Sequence, residues 1–297
     1  ALIFRAEKSE NPFFIKAGFF EVHRPFVQGT DTQNGVFVPP WLADTDTVRN
    51  DLAAFQATIK YFDSCVGQIL SAVEISSIAE NTLVILTSDH GIPYPGAKWT
   101  VRKAGIETPF IAYQPKTAFS GGKVFENVTS NVDVLPTLLD YLGEVPSSSI
   151  QGFSFLELVN GKRNTGPRRH AFSQYTPEMK RDNLSRSVIN DRYHLIRYFD
   201  QGRTVTYPVD VDPHAFAAHV QRCPTTGARP FAQLYDIRED PYELNDIGPD
   251  PKNAAVVGKL SKEVLAWMQE VKDPILDGPQ RTPYYDKAMS DFYSYTK

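Results

Sequence analysis

Residues 83–86, Leu-Val-Ile-Leu, form an uninterrupted apolar run between turn formers, the pattern of a strand buried on both faces. Residues 12–20, PFFIKAGFF, read as another buried strand, and residues 110–113 as a further strand-like run. Over residues 46–77, Leu52, Phe55, Ile59, Phe62, Val66, Ile69 and Val73 recur at steps of three and four, which predicts a core helix with one apolar stripe. Helix followed by strand is the unit of a layered α/β fold. Residues 123–131 alternate as a strand, and residues 133–143 predict a short helix with Asp133 as N-cap, Pro136 in its first turn and Gly143 just past its end. From residue 161 the chain turns basic and loop-like, GKRNTGPRRHAF, so a boundary is placed between a domain of residues 1–165 and a smaller one of residues 166–297. Short strands at 170–174, 185–189, 193–198 and 233–236 predict a small antiparallel sheet. A helix over 254–271 would pack on it through Val257, Leu260, Val264, Leu265 and Met268.

Chemistry gathers where the 83–86 run stops. Thr87 and Ser88 are followed by Asp89, His90 and Gly91. Taken alone, Asp-His-Gly is either a turn, with the carboxylate accepting hydrogen bonds from its own loop, or a pair of metal ligands at a strand's carboxyl end, where open sheets bind ligands. His23 follows the 12–20 run in the same way, and Lys98 lies in the loop after Asp89.

The order of these pieces resembles the sulfatase family of the alkaline phosphatase superfamily. Ser88-Asp89-His90-Gly91, then Lys98, then Gly105-Ile106-Glu107-Thr108-Pro109 is similar to the family's late S-D-[NH]-G strand end, basic residue and G-[IV]-x-x-P segment. Residues 133–143 are similar to its D-x-x-P-T-L-L-x-x-x-G string, and residues 234–247, LYDIREDPYELNDI, to its C-terminal L-Y-D-L-x-x-D-P-x-E-x-x-N-L signature. The loop 91–98, GIPYPGAK, looks like the N-sulfoglucosamine sulfohydrolase (sulfamidase) branch. The resemblance implies a hydrolase releasing sulfate from N-sulfoglucosamine or a similar glycan, with phosphonate or phosphodiester hydrolysis as the alternative in the same superfamily. Asp89 and His90 would be ligands of a divalent metal, usually calcium. Lys98 would contact the sulfate, and His23 would donate to the leaving group; an ungapped match to the family's H-x-x-H form puts Phe20 at the first His and His23 at the second. In the long polar segment 207–229, Asp210, His214 and Arg229 carry the donors and acceptors a sugar pocket needs. By the same resemblance the enzyme would be secreted, periplasmic or lysosomal, and a homo-oligomer is compatible with it.

The family's early parts have no counterpart. No Asp-Asp pair occurs, and neither Cys65 nor Cys223 lies in C-x-P-S-R, the segment that yields the formylglycine nucleophile. The chain therefore corresponds to the later part of a sulfatase and by itself is expected to be inactive, or else is a non-catalytic protein binding an anion or a partner. Thr165 to Arg169 fits a T-x-P-x-R pattern, but a solvated basic loop explains it better. A Cys-His zinc site from His214, His219 and Cys223 lacks a fourth ligand. With 297 residues, 41% of them hydrophobic, the chain can bury a full core. Its net charge of −4 gives no general attraction for polyanions, so nucleic acid is excluded and an acidic substrate must be held by a local cationic cluster. No apolar run is long enough to span a membrane, and the first ten residues are not signal-peptide-like. Cys65, on the helical stripe, is expected to be a buried free thiol, and the last twenty residues a surface strap.

Overall fold

The computed structural model describes residues 2–29, 32–176, 184–199, 208, 210–212, 216 and 230–278. They form helices and antiparallel sheets, an α/β chain whose contacts divide it into two compact units that interleave along the sequence. One comprises Ala1–Pro95, Glu107–Glu126 and Pro208–Arg222; the other comprises Gly96–Ile106, Asn127–Tyr207 and Cys223–Lys297.

The first unit contains helices α1 (Leu2–Ala6) and α2 (Asp46–Glu74) and strands β1 (Val84–Thr87) and β2 (Phe110–Tyr113). Thr45 caps α2 by accepting from the Val48 amide at 3.3 Å, and Asp46 places a negative charge in the first turn, where the helix dipole favours it. Burial is confined to the helix's first half, at Val48, Leu52, Ala53 and Thr58; of the predicted stripe only Leu52 is buried, Ile59 is exposed and the others are half-buried. Cys65 is likewise half-buried, with a free thiol. β1 pairs antiparallel with β2, from Val84 opposite Tyr113 to Thr87 opposite Phe110. Its side chains are half-buried or exposed rather than buried on both faces, because this sheet has no third strand among the described residues. Residues 12–20 and 123–131 are not strands: they lack ladder partners, and an apolar or alternating pattern alone does not satisfy backbone N–H and C=O groups.

In the second unit, short helices α3 (Lys103–Ile106), α4 (Val134–Tyr141) and α5 (Leu156–Val159) precede four strands, β3 (Ala171–Tyr175), β4 (Ser185–Ile189), β5 (Tyr193–Tyr198) and β6 (Ala232–Asp236), and helix α6 (Ala254–Glu270). The strands run in sequence order as an antiparallel sheet, with Val188 opposite Leu195 and Leu195 opposite Leu234. Both faces are covered. Val188, Leu195 and Leu234 pack with Leu260, Val264 and Met268 of α6, whereas Leu265 points outward and is exposed. On the other face Ile196, Tyr198 and Tyr235 pack with Val101, and Ile106 joins them. The segment Gly96–Ile106 is thus built onto the C-terminal sheet.

The start of α4 differs from the expectation. Asp133 has helical dihedrals (φ −81°, ψ −15°), so it lies inside the first turn instead of capping it. Ser130, in extended conformation, is the cap of a single 3₁₀ turn over Asn131–Asp133, and the Asp133 carboxylate returns the bond to the Ser130 amide at 2.9 Å, a capping box. Gly143, at φ +78°, ends α4 as expected.

Candidate active site

The loop leaving β1 is a tight turn. Asp89 Oδ1 accepts from the His90 amide at 3.0 Å, and Ser88 Oγ donates to the His90 carbonyl at 3.0 Å. His90 Nδ1 lies 2.8 Å from the Gly91 carbonyl, which can only accept, so Nδ1 carries a proton and Nε2 is the nitrogen left for a ligand. Asp89 is 88% exposed and its Oδ2 stands 3.9 Å from His90 Nε2. The turn and the pair of outward donors therefore coexist. Among the described residues no group of three or more His, Cys, Asp or Glu gathers. Calcium takes six to eight oxygens, so Asp89 and His90 alone do not fit a divalent cation.

His23 lies in the same unit. Its Nδ1 donates to the Arg24 carbonyl at 2.6 Å, and its Nε2 faces Asp210 Oδ2 at 3.6 Å. The structure thus brings together two residues that sequence had named separately, with His23 41% exposed and Asp210 mostly covered. Sequence reasoning missed what holds them. Arg24 is buried and makes a two-pronged pair with Asp51 on α2, at 2.8 and 2.5 Å, while its Nε donates to the Pro93 carbonyl at 3.2 Å. The guanidinium lies over the rings of Phe26 and Tyr94. Burial pulls the Arg24 pKa down, but the bond and charge of Asp51 outweigh it and hold it above the ordinary value. Arg24 therefore ties the His23 segment to the loop that follows Asp89 and His90. Burial also raises the Tyr94 phenol, which stays neutral as part of this support. A buried Arg cannot be recognised from sequence without its partner, and Asp51 lies on a helix 27 residues away.

Lys98 belongs to the second unit. It is 4% exposed, and its ammonium lies 5.6 Å from the Trp99 ring centroid. Gly96 and Trp99 take left-handed dihedrals (φ +76° and +65°) that turn the chain on both sides of Lys98. Thr100 Oγ1 donates to the Ala97 carbonyl at 2.7 Å and accepts from the Arg102 amide at 3.1 Å. Gly105 is required by close approach, since a Cβ there would stand 2.3 Å from the Ala97 carbonyl oxygen and 2.8 Å from that of Thr100. His214, Arg229 and Cys223, with the last twenty residues apart from Gly278, lie outside the described residues.

The sulfatase family model matches residues 1–144, and the model described as N-sulphoglucosamine sulphohydrolase, C-terminal, matches residues 97–225, so together they run through both the Asp89 and the Lys98 segments. The chain is similar to the sulfatase family. It is 28% identical to human N-sulphoglucosamine sulphohydrolase over 270 residues, covering 82% of this chain and 53% of that protein. Among solved structures, a sulfatase from a glycosaminoglycan-metabolism locus of Bacteroides thetaiotaomicron has a TM-score of 0.66 at 22% identity, covering 98% of this chain and 60% of that one. Another, described as in complex with its substrate D-glucosamine-2-N,6-O-disulfate, has a TM-score of 0.57 at 20% identity, covering 76% and 42%. These likenesses show the fold to be that of sulfatases. The chain spans about half the length of the curated relatives it matches. Sulfatases are generally metal-dependent. No helix among the described residues is long and apolar enough to cross a membrane.

Proposed function

We propose that the protein is a sulfatase that hydrolyses the N-sulfate of a glucosamine-type sugar, with this chain forming the later part of its catalytic domain (residues 1–165) and its C-terminal subdomain (residues 166–297). The carrying observation is that the N-sulphoglucosamine sulphohydrolase model begins at residue 97, one residue before Lys98, and extends through the segment holding Asp210. In the reaction the S–N bond breaks, an oxygen from water ends on sulfur, and the amine leaves with a proton. Negative charge grows on the sulfuryl oxygens, where a fixed ammonium stabilises it more than a mobile one. Lys98, buried and fixed by the turns around it, fills that role. His23 holds a proton at Nδ1 against the Arg24 carbonyl. A separate proton, carried at Nε2 beside Asp210, is the one delivered to the leaving nitrogen. Asp210, His214 and Arg229 would hold sugar hydroxyls. Asp89 and His90 would contribute two ligands to a divalent cation, calcium by family habit, whose part is to polarise the sulfuryl oxygens. The remaining ligands and the formylglycine nucleophile would come from sequence this chain does not contain.

The test is sulfate release by the complete gene product from N-sulfoglucosamine, an aryl sulfate and a phosphonate monoester. The amino sugar is expected to show the highest kcat/KM, and the 297-residue chain alone no turnover. A complete product that hydrolyses the aryl or phosphonate ester well and ignores the amino sugar overturns the reading. In that product Lys98→Ala should lower kcat by about 10²-fold, the loss typical of one preorganised donor; a change below about threefold would place Lys98 outside the site.

A further inference from the structure

We propose that Glu243, braced by His194, is the positioning residue that fixes the Lys98-bearing segment. Glu243 is 2% exposed and sits at φ +57°, a left-handed conformation that a non-glycine residue seldom adopts unless its surroundings impose it. One carboxylate oxygen and the backbone carbonyl both engage that segment. Its Oε2 accepts from the Lys103 amide at 3.0 Å and faces Arg102 Nε at 3.7 Å. Its backbone carbonyl accepts from the Arg102 guanidinium. Its Oε1 accepts from Nδ1 of His194, a completely buried residue of β5 whose Nε2 has no hydrogen-bond partner among the described residues. Through Nδ1, His194 holds the carboxylate in place.

From Glu243 a continuous bonded path leads to Lys98. Arg102, whose NH1 donates to the Tyr235 hydroxyl at 3.3 Å and whose guanidinium lies over that ring, is joined through its own amide to Thr100 Oγ1, and Thr100 Oγ1 to the Ala97 carbonyl next to Lys98. Burial pulls the Arg102 pKa down, but Tyr235 and Glu243 more than compensate and keep the guanidinium charged. Burial likewise pushes the Glu243 carboxyl up, and the opposing charge and bond of His194, the Arg102 charge and the Lys103 amide bring it below its usual range. A buried ionised carboxylate with these partners is a rigid anchor: removing it strands a guanidinium and an amide together. The segment is pinned from its other side by Gly105, whose missing side chain permits contact with the Ala97 carbonyl.

The inference rests on the reading of Lys98 as the sulfate-contacting residue, and its test separates the two. In the complete protein, without substrate, the rate of Lys98 acylation by an amine-reactive reagent and the hydrogen exchange of amides 97–106 are measured for Glu243→Gln, Glu243→Ala and Gly105→Ala. Exposed Lys252 and the amides of α6 serve as internal controls. Lys98 labelling is expected to rise at least tenfold in Glu243→Ala, with exchange increasing over 97–106 and not over α6. Glu243→Gln, which keeps one acceptor for the Lys103 amide, should fall between it and the parent and serves as the reading if Glu243→Ala does not fold. Turnover should then drop in kcat by at least tenfold while KM changes less than threefold. Unchanged labelling and exchange in both Glu243 variants overturn the proposal. Increased labelling with undiminished kcat upholds the Glu243 anchor and overturns the catalytic role of Lys98.

Discussion

Asp133→Ala is expected to lower unfolding stability by about 3–5 kcal/mol, the range for breaking a buried ion pair by removing one partner. The Asp133 carboxylate is fully buried and accepts from Arg168 Nε at 2.8 Å, from a second Arg168 nitrogen, from the Phe153 amide at 2.8 Å and from the Ser130 amide at 2.9 Å. Alanine removes every acceptor at once and leaves a 9%-exposed guanidinium without its counter-charge. Urea unfolding of the single variants and of Asp133→Ala/Arg168→Met completes a double-mutant cycle. The double variant should recover part of the loss, because the stranded charge is gone. A single-variant loss below about 1 kcal/mol, the usual limit for a surface pair, would mean that Arg168 escapes to water. Arg168, the variable position of the T-x-P-x-R pattern, is thereby turned inward as part of the fold.

Elements whose signal is local were legible in the sequence. The four strands of the C-terminal sheet and α6 lie within a residue or two of the boundaries their periodicity predicts, and α2 begins at Asp46 as its periodicity predicts. Non-local facts were not legible. Residues 12–20 are apolar enough for a strand, but a strand exists only where a neighbour completes its ladder. The attachment of residues 96–106 to the C-terminal sheet depends on Val101, Arg102 and Lys103 meeting Tyr235 and Glu243, more than 130 residues away. Asp89, His90, Lys98, His23 and Asp210 stood out in the sequence because their chemistry or motif position is unusual. Arg24, Asp51, His194 and Glu243 look like ordinary surface residues until the structure shows that they have exchanged water for specific partners.

The other large effect concerns the sheet that carries His194. Arg186 on β4 and Asp273 beyond α6 are both almost inaccessible, joined at 2.5 and 3.1 Å through two guanidinium nitrogens. Arg186 also donates to the carbonyls of Tyr175 and Ser185, and Asp273 Oδ1 accepts from the Ile275 amide at 3.0 Å. One pair thus fastens the end of α6 to strands β3 and β4. Burial pushes the Asp273 carboxyl up, but the Arg186 bond, the Ile275 amide and the Arg186 charge hold it below its usual value. A carboxyl depressed on folding contributes stability that is complete above its unfolded pKa of about 3.9 and is lost as pH falls through the lower folded value. Asp273→Asn should therefore cost about 3–5 kcal/mol at pH 7. The gap between variant and parent should narrow steadily once pH drops below about 4, because protonation then neutralises the parent's carboxyl too. Thermal or urea unfolding of both proteins from pH 7 to pH 2.5 checks this. A gap that stays constant over that range would show that neutralising Asp273 is not what the acid limb measures and that the cost at pH 7 comes from lost hydrogen-bond geometry.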